Sequence, residues 1–284
     1  MEKIEYKEYE NKTSVAILMA TYNGEKYLRE QIDSILSQTY TDWHLYIHDD
    51  GSTDNTKQIL SDYCEYQNRI TLLRYDKQGG ACRNFISMLE IVNSEYYMFC
   101  DQDDVWLPHK IECCINVMQH KEKENPHVPI IVNTDLKVVD QNLNIIDDSF
   151  WHYEGVNTSF IKDYIDNAAV KSVTGCTMLF NHKAKNVMCK PYSRALMHDA
   201  WITLSVYAVG GTVLYLPEQT VLYRQHTGNV LGARDIKRNT IVFKIKNFYS
   251  VIMSNVGHYK QMNAIKKISI MDYINAKIRY RKTI

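Results

Sequence analysis

Short apolar runs and amphipathic segments alternate along the first half of the chain. Residues 15–20 form an uninterrupted apolar run, and residues 25–38 place apolar side chains at helical spacing. The alternation then predicts strands 43–48, 70–75, 96–100 and 130–133, a helix 52–66 capped by Ser52 or Asp54, a helix 81–92, and a further helix whose first turn holds Pro108. Strands separated by helices in this way are typical of a parallel α/β sheet with right-handed crossovers.

The pattern beyond residue 135 is less regular and predicts an α+β half that completes the same domain. Its predicted elements are strands 173–180, 212–216 and 221–223 and a helix over 199–209. We therefore expect one domain over residues 1–233, with halves at about 14–135 and 136–233, and a tail over 234–284. Amphipathic helices are predicted in this tail, because its apolar residues fall on one helical face, beginning with Ile241, Ile245, Phe248 and Ile252.

The composition is that of a globular protein. Of 284 residues, 45% are hydrophobic and 23% are charged, which excludes disordered, collagen-like and coiled-coil proteins. The seven cysteines include no Cys-x-x-Cys pair, which argues for a reducing compartment and against a disulfide framework or a structural zinc site. The N-terminus is too charged for a signal peptide, and the uncharged run 200–217 is too short for a spanning helix. We expect a cytoplasmic protein.

Three polar clusters follow three of the predicted strands. They are Thr21-Tyr22-Asn23, Asp49-Asp50-Gly51 and Asp101-Gln102-Asp103. Ligands of parallel sheets bind beyond the carboxyl ends of the strands, so these clusters are expected on one rim. Carboxylates at a strand end suit Mg²⁺ or Mn²⁺ held together with phosphate oxygens. The rim is therefore a candidate site for a phosphate-bearing ligand with a divalent cation. The alternative for Asp101-Gln102-Asp103 is a solvated acidic turn that caps the following helix.

Other nucleotide and phosphate chemistries fit less well. Neither a Gly-x-Gly-x-x-Gly fingerprint nor a phosphate-binding Gly-x4-Gly-Lys loop is present, which disfavours dinucleotide oxidoreductases and P-loop ATPases. The run from Tyr96 to Val105 also fits the strand-Asp-x-Asp pattern of haloacid-dehalogenase-type phosphatases. That motif normally opens its domain, whereas here two or more βα units precede it, and no later Gly-Asp-x-x-x-Asp completes the phosphatase metal site.

The motifs together resemble the inverting glycosyltransferases of family 2, which have the GT-A fold, a mixed α/β sheet flanked by helices. The resemblance covers about residues 14–233, and its last motifs resemble the branch that adds rhamnose to bacterial cell-wall and capsular polysaccharides. It rests on Ala20-Thr21-Tyr22-Asn23-Gly24, Asp49-Asp50-Gly51-Ser52-Thr53-Asp54, Asp101-Gln102-Asp103-Asp104-Val105-Trp106-x-Pro108, Thr174-Gly175-Cys176-Thr177-Met178, His198-Asp199-x-Trp201 and Tyr223-Arg224-Gln225-His226-x-x-Asn229.

The resemblance implies a role for each matching residue. Asp199 would be the catalytic base, and Asp103 and His226 would ligate Mn²⁺ or Mg²⁺. The expected donor-binding residues are Thr21, Tyr22, Asn23, Asp50, Asn84 and Asp101, with Tyr22 and Asp50 at the nucleotide base and Asp101 at the ribose. A base that takes the proton of the acceptor hydroxyl, with one displacement at the sugar, inverts the anomeric centre without a second carboxylate as nucleophile.

The implied reaction has a nucleotide-sugar donor and a lipid-linked or polysaccharide acceptor. The donor is expected to be dTDP-rhamnose. One alternative is a GT-A transferase that uses UDP-glucose, UDP-galactose or a UDP-N-acetylhexosamine. An alternative of another class is a non-catalytic scaffold that binds a nucleotide sugar within a glycan assembly complex. The presence of Asp103, Asp199 and His226 argues against the scaffold.

Charge is distributed unevenly along the chain. Residues 234–284 hold twelve Lys or Arg and two Asp, so the tail carries +10 and the remainder −10. Three interpretations are open: a solvated helical face, a nucleic-acid-binding tail, or attachment to a membrane surface. The acidic body disfavours nucleic acid, whereas Phe243, Phe248 and Tyr249 would anchor the tail on the inner face of the cytoplasmic membrane. The tail could instead form a homodimer interface.

Overall fold

A computed structural model of the chain describes residues 9–10, 13–170, 172–188, 190, 192–226 and 248–283. Its strands are β1 (Tyr9–Glu10), β2 (Val15–Thr21), β3 (Trp43–Asp49), β4 (Ile70–Leu72), β5 (Val92–Asn93), β6 (Tyr96–Cys100), β7 (Val105–Trp106), β8 (Ile130–Val139), β9 (Ile145–Asp147), β10 (Met178–Asn181) and β11 (Thr212–Arg224). Its α-helices are α1 (Leu28–Leu36), α2 (Thr56–Tyr66), α3 (Ala81–Ile91), α4 (Lys110–Glu124), α5 (Phe150–Glu154), α6 (Tyr164–Val170), α7 (His182–Asn186), α8 (His198–Ala208), α9 (Phe248–Ile265) and α10 (Ile270–Arg281).

The main sheet is mixed, with parallel strands at one side. The order is β4-β3-β2-β6-β10-β8-β11-β7, and β9 pairs with β8. Strands β4, β3, β2 and β6 run parallel, as the alternation in the first half predicts. Strand β10 lies antiparallel between β6 and β8, so a strand from the second half completes the sheet.

Burial explains why the central strands are continuous apolar runs. Every residue of β6 is buried, and so are six of the seven residues of β2, because helices cover both faces of the sheet. One core cluster contains Ile17, Met98 and Leu179, and the other contains Leu18, Phe99 and Phe180. Alternate residues of one strand thus face opposite core clusters. The polar rim lies at the carboxyl ends of the strands of this sheet.

Several element boundaries differ from the prediction. The strand expected over 173–180 is shortened to β10, because Gly175–Thr177 forms a 3₁₀ turn. The strands expected over 212–216 and 221–223 form one strand, β11, with register shifts against β8. Pro108 precedes the N-cap of α4, His109, and does not lie in the first turn; its carbonyl accepts a hydrogen bond from the Thr39 N–H.

The two C-terminal helices pack against the second half of the domain. The Tyr164 hydroxyl donates to the Met262 carbonyl (2.7 Å), and the Leu196 N–H donates to the buried side chain of Gln261 (2.7 Å). The predicted boundary at 233–234 and the apolar face predicted from Ile241 to Ile252 lie outside the residues whose side chains are described, as do Phe243, Phe248 and Tyr249. Among the described helices, none has the length and apolar character needed to span a bilayer.

Two glycines provide opposite tests of the packing. A Cβ at Gly211, between α8 and β11, would lie 2.7 Å from the Pro129 carbonyl oxygen, and that backbone cannot give way easily. A Cβ at Gly257 in α9 would meet its nearest neighbour, Leu196, at an ordinary 3.5 Å. We expect Gly211→Ala to lower the free energy of unfolding by about 1–3 kcal/mol. Gly257→Ala should raise it by about 0.5–1 kcal/mol, because alanine favours the helix.

Urea unfolding of both variants measures these changes. Each substitution adds the same methyl group, so each serves as the control for the other. Equal destabilisation by the two substitutions would contradict this account of the packing.

Candidate active site

The carboxyl ends of β2, β3 and β6 meet at one rim, as the sequence predicts. Thr21 pairs with Asp49 across β2 and β3, and Met19 pairs with Cys100 across β2 and β6, so the residues that follow these strands lie side by side. A cavity of about 480 Å³ opens at this rim. Seven of the predicted site residues line it: Thr21, Tyr22, Asp50, Asn84, Asp101, Asp103 and Asp199.

Two predicted residues do not line this cavity. The Asn23 side chain accepts a hydrogen bond from the Thr53 N–H (2.8 Å), which closes the turn behind the rim. His226 reaches the cavity only through Asp103, which its Nε2 atom contacts at 2.8 Å.

Asp50 organises a glycine-rich loop at one end of the cavity. Its carboxylate accepts hydrogen bonds from the N–H groups of Gln78 (2.6 Å), Gly79 (3.1 Å) and Gly80 (2.8 Å). Both glycines have positive φ, 77° and 124°, which directs consecutive N–H groups toward one acceptor. Burial alone would raise the pKa of Asp50, but these backbone donors outweigh it and hold the pKa below its ordinary value.

Tyr22 presents an exposed ring beside this loop. Its ring is 50% exposed, and the ammonium of Lys77 lies 5.2 Å from the ring centroid. The Tyr22 backbone is held by the Gln102 side chain, which accepts from its N–H (2.9 Å) and donates to its carbonyl (3.0 Å). Sequence analysis assigned no role to Gln102 or Lys77, although the Asp-Gln-Asp motif contained the first.

Asn84 is fixed by two aromatic residues. Its Oδ1 atom lies 2.8 Å from Nδ1 of His48 and accepts a hydrogen bond from the Tyr75 hydroxyl (3.2 Å). The His48 and Tyr75 rings stack in parallel with centroids 3.6 Å apart. Because the Asn84 amide is buried and already paired, it shapes the wall of the donor side of the cavity.

Carboxylates converge at the centre of the cavity. Burial, together with the charges of Asp103 and Asp199, raises the pKa of Asp101 to about 7. The nearby like charges disfavour the ionised form of Asp101, and a bound cation would relieve that repulsion. The centre of the cavity is therefore electrostatically suited to a positively charged ligand.

Asp103 and His226 are the pair that fits a hard divalent cation. The Asp103 carboxylate oxygen and the His226 imidazole nitrogen lie 2.8 Å apart and both side chains are partly exposed. The carboxylate suits Mn²⁺ or Mg²⁺, and the imidazole favours Mn²⁺ over Mg²⁺ because Mg²⁺ takes oxygen ligands. The His226 ring is supported by the Tyr27 ring, whose centroid lies 4.9 Å away. The pair joins residues far apart in sequence, one after β6 and one after β11.

A second group of possible metal ligands is more buried than Asp103 and His226. The ligand atoms of Asp101, Asp104 and Cys176 are within 4.8 Å of one another. Burial raises the pKa of the Cys176 thiol well above its ordinary value, so the thiol keeps its proton. Asp104 is fully buried, and one of its oxygens accepts from the Arg224 N–H (3.0 Å). Sulfur is a soft ligand that suits Mn²⁺ or Mg²⁺ poorly, so Asp103 and His226 are the better pair.

The buried side chain of Arg224 holds the segment 101–104, which follows β6, in place. Its Nε atom donates to the Asp103 carbonyl (2.8 Å), its Nη1 atom donates to the Gln141 carbonyl (2.7 Å), and its Nη2 atom pairs with the Glu30 carboxylate. The guanidinium also covers the Tyr27 ring at 4.4 Å from the centroid. The sequence motif included Arg224, but sequence analysis gave it no role.

Asp199 faces the cavity from the first turn of α8. The N-cap of this helix is Met197, so the predicted helix start at Asp199 is late by one residue. One Asp199 oxygen accepts from the Gly175 N–H (3.0 Å) and the other from the Ala200 N–H (2.6 Å). Backbone donors thus orient the carboxylate that the sequence predicts to be the base.

His198 is an unexpected buried polar group beside this base. Its ring lies between Phe85 and Phe99, with centroids 4.2 and 4.5 Å away. Neither ring nitrogen has a hydrogen-bond partner among the described residues. Burial lowers the pKa of His198 from 6.5 to about 4, so the ring is neutral at pH 7.

This buried histidine makes stability depend on pH. Between pH 6.5 and 4 the unfolded chain binds a proton at His198 that the folded chain does not bind, so stability falls as the pH falls. We expect this group to remove up to about 3 kcal/mol across that interval. The stability difference between the wild type and His198→Gln should therefore shrink as the pH is lowered from 6.5 to 4.

Urea unfolding across this pH range measures the effect. The matched control is His120→Gln, because the His120 side chain is 79% exposed and its replacement should alter the pH dependence much less. A pH-independent difference between the wild type and His198→Gln would be incompatible with a buried neutral ring.

Comparison with known proteins identifies the family of this chain. The sequence profile "Glycosyl transferase family 2" matches residues 16–187. The chain is 30% identical over 262 residues to the dTDP-rhamnosyl transferase RfbG of Shigella flexneri, covering 87% of this chain and 83% of that protein. It is 33% identical over 104 residues to the UDP-Glc:alpha-D-GlcNAc-diphosphoundecaprenol beta-1,3-glucosyltransferase WfgD of Escherichia coli, covering 37% of this chain and 40% of that one.

Solved structures share the fold. The mannosyltransferase PcManGT from Pyrobaculum calidifontis, in complex with GDP-Man and Mn²⁺, has a TM-score of 0.58 and 13% identity, covering 95% of this chain and 74% of that chain. The GT-A fold expected from the sequence motifs is thereby confirmed. With a family profile that matches more than half of its length, this chain belongs to glycosyl transferase family 2 and is a glycosyltransferase.

Proposed function

We propose that this glycosyltransferase moves L-rhamnose from dTDP-rhamnose to a growing bacterial surface polysaccharide, with inversion at the anomeric carbon. The observation that carries the reaction type is one cavity lined by Asp50, Asp101, Asp103 and Asp199. It offers a nucleotide end, a cation-binding centre and a base in one space. The choice of donor is supported by the 30% identity to the Shigella flexneri rhamnosyl transferase over most of both chains.

The nucleotide end would bind the donor through the loop beside Asp50. The exposed Tyr22 ring offers a face on which the base can stack, and Asp50 holds the loop that borders it. Asp101, at the end of β6, would accept hydrogen bonds from the ribose. Lys77, beside Tyr22 in the cavity wall, adds a positive charge for the diphosphate.

Asp103 and His226 would hold a Mn²⁺ or Mg²⁺ ion between the rim and the donor diphosphate. Such an ion, when bound, neutralises the charge that develops on the departing nucleoside diphosphate. The carboxylate and the imidazole of this pair provide the ligands, and Tyr27 and Arg224 keep the pair in position. The Pyrobaculum calidifontis mannosyltransferase, which was solved with Mn²⁺, supports this choice of ion.

Asp199 would act as the general base. Its carboxylate takes the proton of the acceptor hydroxyl as the oxygen attacks the anomeric carbon, and the bond to the diphosphate breaks on the opposite side. The Gly175 N–H keeps one carboxylate oxygen oriented without occupying every lone pair. A single displacement of this kind inverts the configuration, and no covalent glycosyl-enzyme is needed.

A UDP-sugar donor is the second candidate. The identity to the Escherichia coli glucosyltransferase, whose name gives UDP-Glc as donor and a diphosphoundecaprenol-linked acceptor, favours it. That match covers only 37% of this chain, against 87% for the rhamnosyl transferase. A non-catalytic scaffold is less consistent with Asp103 and Asp199 lining one cavity and with His226 paired to Asp103.

Substitution of two acids separates the roles of base and metal ligand. Asp199→Asn keeps an oxygen for the Gly175 N–H but cannot take a proton, so kcat should fall by about 10²–10⁴-fold. Donor affinity should change by less than about twofold, because the proposal assigns Asp199 to the acceptor hydroxyl and not to the donor diphosphate or its cation. Asp103→Asn should lower both kcat and donor affinity. Release of nucleoside diphosphate gives kcat, and titration calorimetry gives donor affinity.

The control is Asp148→Asn, because the Asp148 side chain is 76% exposed and lies outside the cavity. It should leave both quantities unchanged. Near-normal turnover of Asp199→Asn would show that the base has been assigned to the wrong residue.

The donor is tested by thermal unfolding with nucleotides. A ligand at about 100-fold its Kd adds about 2.7 kcal/mol to the folded state, which should raise Tm by about 5–10 °C. We expect this shift with dTDP or dTDP-rhamnose in the presence of Mn²⁺, a smaller one in EDTA, and little with UDP. If only UDP raises Tm, the donor is a UDP-sugar and not dTDP-rhamnose. If no nucleotide raises Tm, the non-catalytic scaffold is favoured.

A further inference from the structure

Helix α10 is anchored to the domain by one of its faces. Tyr273 and Ala276 are buried against the second half of the domain. Arg279 forms an ion pair with Asp166 (3.0 Å), and the Tyr280 hydroxyl donates to the Gly155 carbonyl (2.6 Å). These contacts fix the rotation of the helix about its axis, so its opposite face points away from the protein.

That outward face is apolar along its whole length. Ile270, Ile274 and Ile278 follow one another at four-residue spacing, and Met271 lies beside them. Their exposed fractions are 53%, 42%, 49% and 60%, respectively. Four large apolar side chains in one helical stripe are unusual on a surface that faces only water. We call Ile270, Met271, Ile274 and Ile278 the outer stripe.

Both ends of the outer stripe are basic. Lys266 and Lys267 lie four and three residues before Ile270 in the loop between α9 and α10, and Arg281 and Lys282 lie three and four residues after Ile278; all four are exposed. The Lys266 ammonium also lies 5.7 Å from the centroid of the Tyr164 ring. The single acid of α10, Asp272, is two residues from both Ile270 and Ile274 and so lies on another face. An apolar stripe between two positive ends is the pattern of a helix that lies in a lipid headgroup layer.

We propose that α10 docks this enzyme on an anionic membrane surface, with the outer stripe inserted among the lipid headgroups and the basic ends on lipid phosphates. The helix would lie along the surface, because one face is packed against the domain and the opposite face is apolar and exposed. Each basic residue near such a surface contributes about 1 kcal/mol, or about fivefold in binding. The inference concerns the position of the enzyme and does not depend on which sugar it transfers.

Charge distinguishes a membrane from a second copy of the chain. If two outer stripes paired about a twofold axis, an antiparallel arrangement would place Lys266 and Lys267 against Arg281 and Lys282 of the other helix. A parallel arrangement would place each basic end against its equal. Like charges meet in both cases, whereas an anionic bilayer complements both ends at once.

Vesicle binding of the full-length protein tests the proposal. The probes are vesicles of equal parts phosphatidylglycerol and phosphatidylcholine, and vesicles of phosphatidylcholine alone. The wild type should sediment with the anionic vesicles, and binding should weaken at high salt. Ile274→Glu should bind at least about tenfold more weakly, because it removes an inserted side chain and adds a repelled charge. The matched control is Ile145→Glu, at an isoleucine that is 56% exposed on β9.

The basic ends are tested by Arg281→Gln/Lys282→Gln, which should weaken binding by about 25-fold. Its control is Lys57→Gln/Lys123→Gln, at exposed lysines of α2 and α4. Circular dichroism establishes that each variant is folded. Equal binding of Ile274→Glu and the wild type would overturn the proposal. So would a dimer of the wild type that Ile274→Glu dissociates without any binding to vesicles. Because no readout uses transferase activity, failure here leaves the proposed reaction untouched.

Discussion

The buried guanidinium of Arg224 joins the segments from which the active site is built. It contacts Glu30 in α1, the Asp103 carbonyl after β6 and the Gln141 carbonyl beyond β8. A charge that is 2% exposed would cost several kcal/mol without these partners, so the segments must come together for the charge to be accommodated. His226, two residues further along, thereby meets Asp103. The contact between His226 and Asp103 thus depends on this one buried charge.

The rim could be predicted because it follows from strand direction alone. Parallel strands end at the same edge, so polar residues directly after apolar runs must gather there. Asp50 and Asp101 were located by this argument, and the motif around Asp199 added the acid from the second half. The cavity brings these three carboxylates together. Short-range patterns were sufficient here because each residue is placed by its own strand or helix.

Other features depend on contacts that no local pattern contains. The antiparallel insertion of β10 is decided by which edge of the sheet is free, and its sequence is apolar in either orientation. Gln102 pairs with the backbone of Tyr22, eighty residues earlier. Arg224 and His198 both lie within the family motifs. The motifs do not reveal that the Arg224 guanidinium is fully paired, or that the His198 ring nitrogens have no partner among the described residues.

The position of β10 between β6 and β8 also affects how the chain folds during synthesis. A nascent chain that ends near residue 140 has already produced β6 and β8, yet these strands do not pair with each other. Each strand would expose an edge whose backbone N–H and C=O groups have no hydrogen-bond partner, and such edges promote aggregation. Only when residues 178–181 leave the ribosome can β10 bridge the two edges. The segment up to β8 is therefore not an autonomous folding unit, and it reaches its final stability only together with β10.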